Sequence, residues 1–259
     1  MYYDDEYNGH GFSVEEIGRD NLYYSIFYTY DDNGKPNWYS ALNRYQRNDN
    51  YWSINRINGN ETIHSYYDYD SSTMFLDWTS EHLGWLRFDN NRGDDSINRA
   101  IYKIADIQRN WNIEPIVNDS HAPEIDLSGL WWAGNDDAGW GVSLSFIQGQ
   151  EGQTVVAIVY FYDETGYPRW LIGQANGFEF NQDINIDMKQ INGYGRLQNL
   201  VELSEIPAGN LTLNLLQASQ EFGQAGKLSM DIFYPEDQTN NDNWVRNNIP
   251  IALFSKPRD

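Results

Sequence analysis

The residues of this chain that could do chemistry fall into three groups: tryptophans and tyrosines beside turns, clusters of acids, and four scattered histidines. Trp131, Trp132, Trp140, Trp170, Trp38, Tyr2 and Tyr3 lie near turns and strand ends, with His10 where the first half departs from the second. Exposed on one face, such rings would stack on sugars or other flat apolar ligands. They are the candidate ligand-binding residues. The competing reading is packing, in a core or between domains. On a strand, adjacent Trp131 and Trp132 must point to opposite faces, so one of them meets solvent, a partner or another domain.

The acids suggest a cation. Asp136 and Asp137 stand in "NDD", Asp68 and Asp70 in "DYD", Asp49 in "NDN", and Asp94 and Asp95 in "RGDD". The ion would be Ca2+, which takes six to eight oxygens from loop carboxylates and carbonyls. None of these stretches has the D-x-[DN]-x-[DN]-G loop with its distal Glu. Asp and Asn are also ordinary turn residues. No cofactor other than such an ion is expected.

Catalysis has weaker support. Two carboxylates across a cleft could hydrolyse glycosides, but 38 acids nominate no pair. His10, His64, His82 and His121 fit neither H-E-x-x-H nor G-x-S-x-G. With no cysteine, disulfides, thiol chemistry and Cys-based zinc are excluded. The net charge of −21 works against nucleic acid and anionic membrane surfaces. No apolar run reaches 18 residues, so no membrane insertion is expected. Mean hydropathy is low, at −0.69. Even so, 10 Trp, 19 Tyr and 11 Phe supply a core that disordered chains lack.

These residues are held by a pattern written twice. "YTYDDNGKPNW" (28–38) returns as "YFYDETGYPRW" (160–170), pairing Tyr28 with Tyr160, Gly34 with Gly166 and Trp38 with Trp170, 132 positions apart. "GFSVEEI" matches "GVSLSFI" 130 positions on, and Ile57-Asn58-Gly59 matches Ile191-Asn192-Gly193 at 134. Offsets that drift in small steps are what loop insertions produce. Tyr2-Tyr3 falls opposite Trp132-Ala133, and "INRAIYKI" matches "NIPIALFSK" loosely as the closing strand. The reading is two homologous domains from an internal duplication: residues 1–111, a linker at 112–126, and residues 127–259.

Each quoted stretch reads as a hairpin. Val155 to Tyr162 is a β-branched and aromatic run, Asp163 to Gly166 is turn chemistry, and Pro168 precedes the strand that carries Trp170. Further strands are expected at 11–17, 51–57, 72–78, 83–88 and 101–104. In the second half they fall at 141–147, 184–191, 211–215, 227–233 and 251–254. Six to eight strands per copy give an all-β chain of two antiparallel β-barrel or β-sandwich domains.

The run Gly129-Leu130-Trp131-Trp132, then Gly139-Trp140-Gly141-Val142, then Tyr162-Asp163 through Trp170 resembles Trp- and Gly-rich tandem β modules of exported gammaproteobacterial proteins. The resemblance implies export and names no catalytic residue. The first copy departs from the pattern, with His10-Gly11-Phe12 and Tyr2-Tyr3 in place of the tryptophans. The expected location is secreted, periplasmic or at the cell surface, and no leader pattern stands before the first strand. The functional expectation is a non-catalytic binding module for a glycan or other extracellular ligand. The alternatives are a structural or assembly subunit that binds copies of itself and, more weakly, a carboxylate-dependent polysaccharide-active enzyme.

Overall fold

A computed structural model describes residues 2–3, 11–17, 22–30, 34–44, 51–60, 63–78, 84–89, 111–115, 127–149, 152–163, 166–193, 203–216, 225–234 and 243–253. Among the described residues, sixteen strands run in chain order. The first eight are β1 (Tyr2–Tyr3), β2 (Gly11–Ile17), β3 (Leu22–Tyr30), β4 (Pro36–Arg44), β5 (Tyr51–Asn60), β6 (Ile63–Trp78), β7 (Gly84–Asp89) and β8 (Trp111–Pro115). The others are β9 (Gly129–Trp132), β10 (Gly141–Gly149), β11 (Gly152–Tyr162), β12 (Pro168–Asn176), β13 (Ile184–Asn192), β14 (Ser204–Leu215), β15 (Ala225–Ile232) and β16 (Trp244–Leu253). β1 to β8 pair in sequence order and close when β1 meets β8. β9 to β16 do the same, with β9 lying between β10 and β16. The architecture is therefore barrel rather than sandwich, and every ladder is antiparallel.

Equivalent pairings recur in both barrels. Tyr28 opposes Trp38 as Tyr160 opposes Trp170. Tyr30 opposes Pro36 as Tyr162 opposes Pro168, and both prolines open their strands, where no ladder N–H is needed. Gly34 and Gly166 hold φ of 78° and 79°, the left-handed turn conformation that favours glycine. One hairpin further on, Ser40 and Ala41 oppose Asn55 and Ile54, and Ile172 and Gly173 oppose Lys189 and Met188. The pairing thus follows the change of offset from 132 to 134 that the sequence shows.

Two alignments at the ends of the first half need correction. Tyr2 pairs with Phe12 and Tyr3 with Gly11, while Trp131 pairs with Val142. Ladder position therefore matches Tyr2-Tyr3 with Trp131-Trp132, not with Trp132-Ala133. The strand that closes the first barrel is β8, so residues 112–115 of the expected linker belong to the barrel. "INRAIYKI", at 97–104, lies outside the described residues.

The second barrel is filled by apolar side chains. Val142, Leu144 and Phe146 of β10, Val155, Ala157, Val159 and Phe161 of β11, and Leu171, Ile186, Met188, Leu211, Leu213, Leu228 and Ile232 form one buried cluster. β13 alternates buried and exposed positions along its length, as a strand with one wet face does. β11 does not: Val155 to Phe161 is buried on both faces. Its inner residues fill the barrel, and its outer residues Ile158 and Tyr160 meet the first barrel.

Candidate functional site

The outer faces of β3 and β4 in one barrel pack on those of β11 and β12 in the other. Ile26, Tyr28, Tyr30 and Trp38 meet Leu130, Ile158, Tyr160 and Trp170 in a second buried cluster. Trp38 sits edge-on to Tyr160 at 6.0 Å, and Tyr28 edge-on to Trp170 at 5.8 Å. Tyr160 donates its O–H to Ser143 Oγ at 3.1 Å, and Ser13 also bonds the phenol. Both serines are buried. Burial holds the Tyr28 and Tyr160 phenols well above the ordinary tyrosine range, and raises those of Tyr24 and Tyr30.

Three hydrogen bonds reach backbone groups across this seam. The Trp38 indole N–H donates to the Phe161 carbonyl at 3.3 Å, Arg169 Nη1 to the Pro36 carbonyl at 3.1 Å, and the Gly193 N–H to the Gly34 carbonyl at 3.1 Å. Arg169 also donates Nε to Asp163 Oδ2 at 2.8 Å and lies over the rings of Tyr167 and Tyr234. Both members of this ion pair are more than nine-tenths buried. A charge that far from water persists because it is paired and its donors are used.

Four of the eight residues expected at a ligand surface are buried. Trp38 and Trp170 are buried in the seam. Trp131 is fully buried in the second barrel, with its N–H on the Leu127 carbonyl at 3.1 Å. Trp140 is buried at that barrel's end, edge-on to Trp244 at 5.6 Å. Each fills space between elements, so none of the four offers an open ring face for stacking. Trp132 is half-buried, on the face opposite Trp131 as alternation requires. Tyr2 and Tyr3 are described as backbone, and His10 lies outside the described residues.

The metal candidates are described only in part. Asp137 pairs with Arg246 at 3.1 Å, so a cation already meets its charge. Asp68 and Asp70 lie on β6, in a strand and not in the loop that a calcium site would use, with Asp68 opposite Arg56. The Asp136 side chain lies outside the described part of the structure. Among the described residues no group of three or more His, Asp or Glu could hold a metal ion.

A second site was missed by the reading of single residues. Strand alternation turns Ser25, Phe27, Asn37 and Tyr39 away from the seam and into the first barrel, and all four are buried. Asn37 Nδ2 donates to Tyr39 Oη at 3.1 Å. Ser25 Oγ and Asn37 Oδ1 are buried and make no hydrogen bond among the described residues. At the matching places, 132 positions on, the second barrel carries Ala157, Val159, Arg169 and Leu171. The alignment already contains this signal: the two halves agree on the outer face and diverge on the inner one.

Comparison with known proteins adds nothing to this geometry: no protein-family model, no curated protein and no solved structure matches the chain. Among the described residues no helix is long and apolar enough to cross a membrane.

Proposed function

We propose that this chain is an exported, non-catalytic binding module, built of two barrels that arose by internal duplication. The second barrel is the packed support, and the first takes a glycan fragment or similar hydroxyl-rich ligand into its interior. The observation that carries this reading is that Ser25 Oγ and Asn37 Oδ1, two of the six buried side-chain atoms without a hydrogen bond among the described residues, lie together on the inner face of β3 and β4. Buried polar atoms left unpaired cost about 1–3 kcal/mol each. A barrel of eight strands is the size that holds side chains or one small ligand. Asn37 Nδ2 is committed to Tyr39, so the open Oδ1 asks for a donor, and a sugar hydroxyl supplies one beside aromatic rings. Export rests on the resemblance of the Gly-Trp pattern.

Titration with mono- and disaccharides, followed by amide chemical shifts, tests the proposal. Shifts should map to β3 and β4 and vanish in Asn37→Leu. Binding that maps elsewhere, or that survives Asn37→Leu unchanged, would refute the placement.

A further inference from the structure

The seam repeats its own contacts. Tyr28 meets Trp170 and Trp38 meets Tyr160; Tyr30 meets Trp170 at 5.7 Å and Trp38 meets Tyr162 at 5.4 Å. Tyr28 meets its own counterpart Tyr160 at 6.4 Å. Each of these ring contacts from position i to position j is returned from j to i, with partners 132 positions apart. That reciprocity marks an isologous interface, the kind that two copies of one surface make across a twofold axis.

We infer that the seam is a self-complementary docking surface and that its partner in trans is a second copy of this chain. The first barrel of one chain seats on the second barrel of another, and the exchange closes a dimer. Three observations favour this occupant. No ladder crosses the seam, since both sheets close on themselves, so separating the barrels breaks no strand pairing. The faces that separation would expose carry Ile26, Ile158 and the ring cluster, an apolar patch that water drives back into contact. The chain between β8 and the second barrel includes residues 116–126, and eleven residues span up to about 36–40 Å when extended. The exchange stops at two chains, because both faces of each are then covered. This inference uses the outer faces of the barrels and does not depend on the ligand proposed for the interior.

Refolding the full chain from denaturant over a hundredfold range of concentration, with light scattering, is the first arm. Dimer should dominate at the high end and monomer at the low end. In the second arm, Trp38→Ala and Tyr160→Ala chains are refolded together and read by native mass spectrometry. The mixed dimer contains one seam that keeps the Trp38–Tyr160 contact, which neither variant can form alone, and one seam that lacks both rings. Every dimer lacks two rings in total, so the mixed dimer is favoured by the coupling of that one contact and should exceed either homodimer severalfold beyond the twofold excess of random pairing. Monomer at every concentration overturns the inference, and so does dimer that mixes at random. If an alanine variant fails to fold, the wild-type arm remains decisive, and a Trp38→Leu and Tyr160→Leu pair repeats the mixing with smaller cavities.

Discussion

Trp38 of the first barrel donates its indole N–H to the carbonyl of Phe161 in the second, at 3.3 Å, from a ring packed between Tyr160 and Tyr162. One side chain thus contributes both apolar area and a directed bond across the seam. Trp38→Ala should cost about 3–5 kcal/mol, the usual range for a buried Trp truncation. Trp38→Phe keeps most of the ring and should cost less, including about 1 kcal/mol for the lost hydrogen bond. Urea unfolding of both variants measures this. A loss below 1 kcal/mol for Trp38→Ala would show that the seam contributes little to stability.

The buried Arg169–Asp163 pair predicts an asymmetry. Removing one partner leaves a charge stranded away from water, at a cost of about 3–5 kcal/mol. Asp163→Ala should cost at the upper end, because Asp163 Oδ1 also accepts the Tyr167 N–H at 2.9 Å. Arg169→Met in the Asp163→Ala background should recover part of the loss, since neither charge then remains buried. A double-mutant cycle reads the coupling directly. The exposed Lys189–Glu205 pair, at 2.5 Å, serves as the control and should show about 1 kcal/mol or less.

Gly193 adjoins the seam where the alignment places "ING" in both halves. A Cβ there would lie 2.6 to 2.8 Å from ring carbons of Tyr30, inside contact distance. The Gly193 N–H also donates to the Gly34 carbonyl, so its strand end cannot retreat without losing a bond across the seam. Gly193→Ala should therefore destabilise by about 1–3 kcal/mol, the usual overpacking cost. Tyr30→Phe should not rescue it, because the clash is with ring carbons and not with the hydroxyl. Thermal unfolding of the single and double variants checks both statements.

The hairpins and their register were legible because turn chemistry is local: Asp, Gly and Pro specify a bend whatever surrounds them. The unbroken apolar run from Val155 to Phe161 was legible as a strand, and the structure covers both of its faces, in contrast to alternating β13. What covers the outer face was not legible. Tyr28, Trp38, Tyr160 and Trp170 repeat as faithfully as the turns do, and repetition alone cannot separate a shared ligand surface from two faces that bind each other. Burial settled that for the four rings. The first barrel's inner face went unremarked for the opposite reason. Ser25 and Asn37 are unexceptional residue types that stand out only when set against Ala157 and Arg169. Closure of the first barrel was not legible, because it is a long-range pairing, made here by Trp111–Pro115 with β1.

The seam also predicts how stability responds to alkali. Tyr24, Tyr28, Tyr30 and Tyr160 are each held above the ordinary tyrosine value of about 10, with burial as the leading cause. Below that value the phenols are neutral in both folded and unfolded chains, and their contribution is fully present. Above it the unfolded chain gives up protons that the folded chain keeps, so the unfolded state is favoured increasingly as pH rises. Each phenol should remove about 1.4 kcal/mol per pH unit from about pH 10 upward, until its raised folded value is passed. Urea midpoints between about pH 8 and 11 should be flat at first and then fall steeply. Tyr28→Phe combined with Tyr30→Phe should make the fall shallower by about half, since two of the four groups no longer titrate. An unchanged slope in that double variant would mean that the seam phenols do not govern the alkaline transition.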